Sequence, residues 1–172
     1  KHVLGLSLKN EAIYSPTNPF LEYLPMDVSK IKQTDSNSKP VILPFRIKAP
    51  TGVTIDKNLL YKNEDLRKDK IIMNLIKLAN LILKKEEDLD LGLITYEICP
   101  TTASNGFLEM VPRSKTLYDI KERLNLSINN YIDSYNDSIS VQNLRTRFVR
   151  SCAGYCVITY LLGIGDRHLD NI

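Results

Sequence analysis

The stretch "GIGDRHLDNI" at residues 163–172 packs Asp166, Arg167, His168, Asp170 and Asn171 into six positions. Asp166 and Asn171 stand five positions apart. In phosphoryl-transfer loops that interval separates an Asp that orients the acceptor hydroxyl from an Asn that holds Mg²⁺. His168 lies between them, and an imidazole titrates near working pH, so it is a candidate to take the acceptor proton. Phosphoryl transfer asks little more of such a loop than an oriented acceptor, a metal and nearby positive charge. The same residue types also make an ordinary polar loop after a helix, so spacing alone leaves both readings open.

A loop of this kind needs a rigid element to aim it. The run "CVITYLL" precedes it and ends a long helical pattern from about residue 141 to 162, in which Phe148, Cys152, Tyr155, Thr159 and Leu162 share one face. Before that helix the chain reads as helical at "TLYDIKERL" and less regularly at "SINNYIDSYN". Cys152 and Cys156, with no third thiol or His nearby, read as buried core rather than metal ligands.

The first half has a different grammar. Pro16, Pro19 and Pro25 mark the opening segment as an extended arm packed on something else. "KQTDSNSK" is a polar loop, and "PVILPFRIKA" and "NLLYK" read as strands around the turn "APTGVTIDKN". Pro44 makes the first of these an edge strand. From Asn63 the period becomes helical: Asn63 is placed to cap, and Leu66, Ile72, Leu75, Ala79 and Ile82 form a stripe. Lys84 and Lys85 end the helix at its negative pole. "LGLITYEICPTT" and "NGFLEMVP" return to strand, with "SNG" as a hairpin turn.

The order of elements is therefore strands, a helix, strands, a connector and then helices. That predicts an α+β fold of two lobes, with a ligand near the connector at residues 109–112. Its 172 residues, 43% hydrophobic, suffice for a sizeable core. The net charge of +3 comes from 23 basic and 20 acidic residues, mostly interspersed, which argues against nucleic acid as a partner and tolerates an anionic membrane surface. Three cysteines without framework spacing fit a reduced, cytosolic setting. "KHVLGLSLKNEAIY" lacks the pattern of a signal peptide, and the apolar run 155–164 is about half of a bilayer span, so any membrane contact is expected to be peripheral. His2 is expected to be solvated.

The order "GDRH" reverses the H-R-D of protein kinases, and "GDRHLDN" resembles the catalytic loop of the phosphatidylinositol 3-kinase and 4-kinase superfamily. "RSCAGYCVITYLLGIGDRHLDNI" is most similar to the class III phosphatidylinositol 3-kinases. "NEDLRKDK" resembles the family's D-D-L-R-Q-D, with one residue missing between Lys62 and Asp65 and Lys68 in place of Gln. "LLYK", "EEDLDLGLITYEIC", "GFLEMV" and "DSNSKP" resemble, respectively, its phosphate-lysine strand, adenine-pocket segment, connector and phosphate-binding loop.

The resemblance implies a protein-kinase-like fold. Residues 1–31 would be an arm, 32–112 a sheet-plus-helix N-lobe with its hinge, and 113–172 the start of a helical C-lobe ending in the catalytic loop. It implies ATP binding by Ser36, Lys39, Lys62, Asp69, Tyr96, Glu109 and Val111, with Asp69 as the acid holding Lys62. Glu109 and Val111 would act through their backbone. It also implies Mg²⁺ (or Mn²⁺) at Asn171, and catalysis by Asp166 and His168, either of which would remove the proton. Arg167 would brace the loop, and Asp170 would support the metal site or the loop.

The substrate so implied is phosphatidylinositol, phosphorylated at its 3-hydroxyl. The implied partners are a regulatory protein-kinase-like subunit and autophagy or endosomal complex proteins, at endosomal and autophagic membranes. The family's second metal-binding Asp lies in a D-F-G beyond the catalytic loop. The 172 residues alone are therefore expected to show no turnover. The rival readings are a 4-kinase or related protein kinase, and a non-catalytic nucleotide-binding or interaction module.

Overall fold

The computed structural model of the chain describes residues 13–18, 20–34, 39–48, 52–134 and 140–172. It divides into two compact units, Lys1–Met73 with Tyr96–Pro112, and Asn74–Thr95 with Arg113–Ile172. The strands, one short 3-10 turn at Val28–Lys30 and the start of the first long helix belong to the first unit and the remaining helical structure to the second, so the α+β class expected from the sequence is what the chain has.

The first unit is an antiparallel sheet of seven strands among the described residues: β1 (Ile13–Tyr14), β2 (Glu22–Leu24), β3 (Lys32–Gln33), β4 (Val41–Lys48), β5 (Thr54–Lys62), β6 (Ile98–Pro100) and β7 (Gly106–Glu109). Their order is β1-β2-β4-β5-β7-β6, with β3 also on β4. The segment read as an extended arm thus supplies short strands to the sheet. β4 is not the edge strand that Pro44 suggested, because β5 lies along one side of it and β2 and β3 along the other. β3 covers Val41 and Ile42, β2 covers Arg46 and Ile47, and Pro44 falls opposite the gap between them. Pro44 pairs with Asn58 of β5 on one side, and the strand tolerates its missing N–H because no ladder partner stands opposite it on the other.

β5 begins at Thr54, so half of the expected turn is strand, while the strand expected over "LGLITYEIC" shrinks to Ile98–Pro100. The β6–β7 turn closes through the Thr101 and Thr102 N–H groups on Asn105 O, and Gly106 opens β7 instead of sitting in the turn. A Cβ there would lie 2.7 Å from Cys99 O, 2.9 Å from Leu66 Cδ1 and 2.9 Å from Pro100 Cα, which is why the position is glycine.

Strand alternation sorts the core onto two faces. Leu59 and Phe107 face Tyr23, Ile47, Leu21, Leu43 and Phe45, with the Tyr23 and Phe45 rings stacked at 4.4 Å. Leu60 and Leu108, paired in register, join Leu66, Met73, Ile98 and Tyr96 on the other face. Each such fully buried aliphatic side chain is worth about 1.5–3 kcal/mol over exposure.

Helix α1 spans Arg67–Glu86, three residues later than a cap at Asn63 would have started it. Asp65 takes the capping role, its Oδ1 accepting the Arg67 N–H at 3.1 Å. The buried positions are Leu66, Met73 and Ile76, whereas Leu75 and Ile82 of the expected stripe are exposed. Residue types around α1 are apolar on more than one face, and contact with the sheet selects the Leu66–Met73 side.

In the second unit α2 (Ile128–Asp133) and α3 (Val141–Leu161) start at side-chain caps, Ser127 on the Asn130 N–H and Ser140 on the Asn143 N–H. "TLYDIKERL" is helical over residues 117–123, as expected, and runs into a π-helical turn at Asp119–Arg123. α3 packs through Gly154, where an added Cβ would meet Leu91 and Leu93 side chains, and through Ile158. Tyr155 donates to Ile94 O. Of the face expected for α3, Tyr155 and Thr159 are half-buried but Phe148, Cys152 and Leu162 are exposed, because the close approach runs along the glycine; Cys156, expected in the core with Cys152, is exposed as well. Within the apolar run 155–164, Val157, Tyr160 and Leu161 are exposed. Among the described residues no helix is long and apolar enough to cross a membrane.

Candidate active site

The loop that carries Asp166 is launched by the end of α3. Gly163 at φ 61° donates to Tyr160 O, and Ile164 donates to Thr159 O, the paired bonds of a Schellman motif. The first glycine of "GIG" is thus a helix terminator. Asp166 also has a left-handed φ of 57°, a conformation that Asp tolerates better than most residues. The far side of the loop is pinned by main chain, with Tyr118 N–H donating to Leu169 O and Leu117 N–H to Ile172 O. Asn171 N–H on His168 O closes the turn.

Within this frame the predicted catalytic side chains meet. Asn171 Nδ2 donates to Asp166 O at 2.9 Å and to Asp166 Oδ2 at 3.1 Å, and lies 3.2 Å from His168 Nε2. His168 Nε2 lies 3.5 Å from Asp166 Oδ1, and Nδ1 lies 3.9 Å from Asp170 Oδ2 and accepts the Asp170 N–H at 3.3 Å. Either ring nitrogen therefore faces a carboxylate. Arg167 Nε donates to Gly165 O, so Arg167 braces the loop. With its amide N–H groups committed to Asp166, Asn171 has Oδ1 as its atom for a hard cation. Among the described residues no group of three or more His, Cys, Asp or Glu side chains forms a ready metal cage.

Of the nucleotide residues expected in the first unit, Lys62 and Glu109 end strands, Asp69 lies in the first turn of α1, and Lys39, Tyr96 and Val111 lie outside strands and helices. Lys62 ends β5, but its Nζ donates to Glu64 Oε1 at 2.6 Å; the acid beside it is Glu64, not Asp69, which is exposed in the first turn of α1. Lys39 is exposed at φ 44°, its carbonyl accepting from Gln33 Nε2. Ser36 lies outside the described residues. Tyr96 is half-buried against the Leu66, Met73, Ile98 and Leu108 cluster.

Glu109 closes β7, and its N–H donates to Glu97 O. Met110 N–H donates to Asn58 O, and Val111 follows, half-buried. The Glu109 side chain, only 11% exposed, lies with Oε2 2.9 Å from Lys57 Nζ while Oε1 accepts from Thr17 Oγ1 at 2.7 Å. Behind Thr17 stand Ser15 and Tyr23, whose hydroxyl donates to Ser15 Oγ at 2.9 Å; burial pushes the Tyr23 phenol up from its ordinary value. Sequence reasoning missed Lys57, Thr17 and Glu64. Period-two alternation along β5 puts Lys57 on the face of Leu59, whose register partner is Glu109, but that signal needs the strand to start at Thr54.

Residues 57–172 match the profile of the family described as phosphatidylinositol 3- and 4-kinase. Phosphatidylinositol 3-kinase VPS34 of Saccharomyces cerevisiae is 38% identical over 146 residues, which are 81% of this chain and 16% of the yeast protein. Phosphatidylinositol 3-kinase pik3 of Schizosaccharomyces pombe is 43% identical over 123 residues, 66% of this chain and 15% of that protein. The nodule isoform of the Glycine max phosphatidylinositol 3-kinase is 37% identical over 173 residues, 97% of this chain and 20% of the plant protein. The chain thus spans a fifth or less of the length of these relatives.

Proposed function

Because the chain belongs to the phosphatidylinositol 3- and 4-kinase family, we propose that it forms the nucleotide-binding sheet and catalytic loop of a class III phosphatidylinositol 3-kinase. That enzyme moves the γ-phosphate of ATP to the 3-hydroxyl of phosphatidylinositol. The observation that carries the reading is the meeting of Asp166, His168 and Asn171 in one loop.

In this reading the acceptor hydroxyl is oriented by the Asp166 carboxylate, and its proton goes to a nitrogen of His168. The carboxylates of Asp166 and Asp170 flank that ring and stabilise the imidazolium as it forms. Asn171 Oδ1 would hold Mg²⁺ (or Mn²⁺), which when bound spreads the charge of the phosphates. Lys62 pairs phosphate oxygens as a point charge, leaving Glu64 to keep it extended when no anion is present. Residues 109–111 supply backbone groups to adenine. By the same family resemblance, the lipid is met as phosphatidylinositol on endosomal or autophagic membranes, with a cytoplasmic enzyme attached peripherally. A regulatory protein-kinase-like subunit and other complex proteins are its partners.

The test is lipid phosphorylation by the full-length gene product on phosphatidylinositol vesicles with ATP and Mg²⁺. His168→Ala should lower turnover by about a hundredfold to ten-thousandfold while sparing ATP binding. Unchanged turnover removes His168 from the chemistry, and product phosphorylated at the 4-position reassigns the enzyme.

A further inference from the structure

We propose that Glu109 is a positioning residue for nucleotide. Its carboxylate, held by Lys57 and Thr17, fixes the connector at residues 109–111 and ties it through Thr17 to Ser15 and Tyr23. This rests on the reading of that connector as the adenine contact.

Both carboxylate oxygens are committed, Oε1 to Thr17 and Oε2 to Lys57, so the side chain is not offered to a ligand. The direction of the hydroxyl chain follows from its end. A carboxylate only accepts, so Thr17 must donate to Glu109; Thr17 Oγ1 then accepts from Ser15, and Ser15 accepts from Tyr23. Ser15 Oγ also accepts from the Thr17 and Asn18 N–H groups, so the turn is built around this one hydroxyl. Ser15 and Tyr23 are each 3% exposed, which leaves water little access to replace either bond.

The clamp sits where the sheet stops holding the connector. β7 ends at Glu109, and the Met110 N–H bond to Asn58 O follows the last paired residue. Beyond it the chain runs into Pro112 and then Arg113 at φ 53°, outside the ladder. A largely desolvated ion pair adds little net stability over an apolar pair of similar volume, but it sharply disfavours any other placement of its partners. A charge-assisted clamp at a strand end therefore sets position more than it sets stability.

The experiment compares the affinity of the full-length gene product for ATP and for inorganic tripolyphosphate by calorimetry, in Lys57→Met, Thr17→Val and Thr17→Ser. The wild type should prefer ATP. Lys57→Met and Thr17→Val should each cut that preference about tenfold with tripolyphosphate affinity unchanged, and Thr17→Ser, which keeps the hydroxyl, should restore it. A wild type that prefers ATP beside variants that keep the full preference overturns the positioning role and leaves the adenine contact standing. A wild type without preference for ATP overturns the adenine contact, and this role with it. The two substitutions enter the clamp from different elements, so a folding defect in one leaves the other to decide.

Discussion

Two acidic residues, Glu109 and Asp166, sit in opposite surroundings. The Glu109 side chain is 11% exposed and held by residues 52 and 92 positions away in sequence. The Asp166 side chain is 79% exposed, and its partners among the described residues are His168 and Asn171 of its own loop. One is fixed by the fold and the other by its immediate neighbours. A group that must meet a substrate has to keep its polar atoms accessible, so its local geometry is set by short-range bonds on a pinned backbone. A group that only positions backbone can spend both oxygens on the protein itself.

The contrast breaks most visibly in the core. Leu59, 1% exposed between Tyr23 and Ile47, should lose about 2–5 kcal/mol on Leu59→Ala. Leu161, 72% exposed at the end of α3, should change by no more than about 0.5 kcal/mol on Leu161→Ala. Denaturant unfolding of both variants checks this, and equal losses would mean that the end of α3 is packed as tightly as the sheet.

A smaller effect separates two glycines. At Gly106 an added Cβ meets the Cys99 carbonyl at 2.7 Å and Pro100 Cα at 2.9 Å, backbone atoms that cannot swing aside. Gly106→Ala should cost about 1–3 kcal/mol. Gly165, next to Asp166, has nothing within 4 Å of the same position, so Gly165→Ala should leave the melting temperature nearly unchanged. A large shift from Gly165→Ala would show that the loop is more constrained than its neighbours suggest.

What could be read from sequence follows the same division. Asp166, His168 and Asn171 were legible because their contacts span at most five positions and their types have chemical meaning together. Asn171 and Asp166 meet as that spacing requires. The extent of α3 was legible too, its last helical residue falling one short of the expected Leu162. The Glu109 clamp was not, since nothing local joins Thr17 or Lys57 to a residue in β7. Pro44 misled because a sequence does not announce that two short strands will flank one proline. The stripe of α1 was misplaced because apolar residues surround that helix, and only the sheet shows which of them are covered.

The smallest expected effect lies at the start of α1, where an exposed acid in the sheet unit is held as locally as Asp166. Arg67 donates to Asp65 through Nη2 at 2.7 Å, through Nε at 2.9 Å and through its backbone N–H at 3.1 Å. The side-chain bonds from Arg67, followed by its backbone N–H, pull the Asp65 carboxyl down from 3.8 to about 2. A depressed carboxyl stabilises the fold above its unfolded value, and that contribution fades as pH falls from about 4 through about 2. Asp65→Asn should therefore be less stable than wild type at pH 7, with the gap in melting temperature closing across that window. Added salt should shrink the gap at pH 7, because the pair is open to solvent. A gap that stays constant down to pH 2 would show that it does not come from the charge of Asp65.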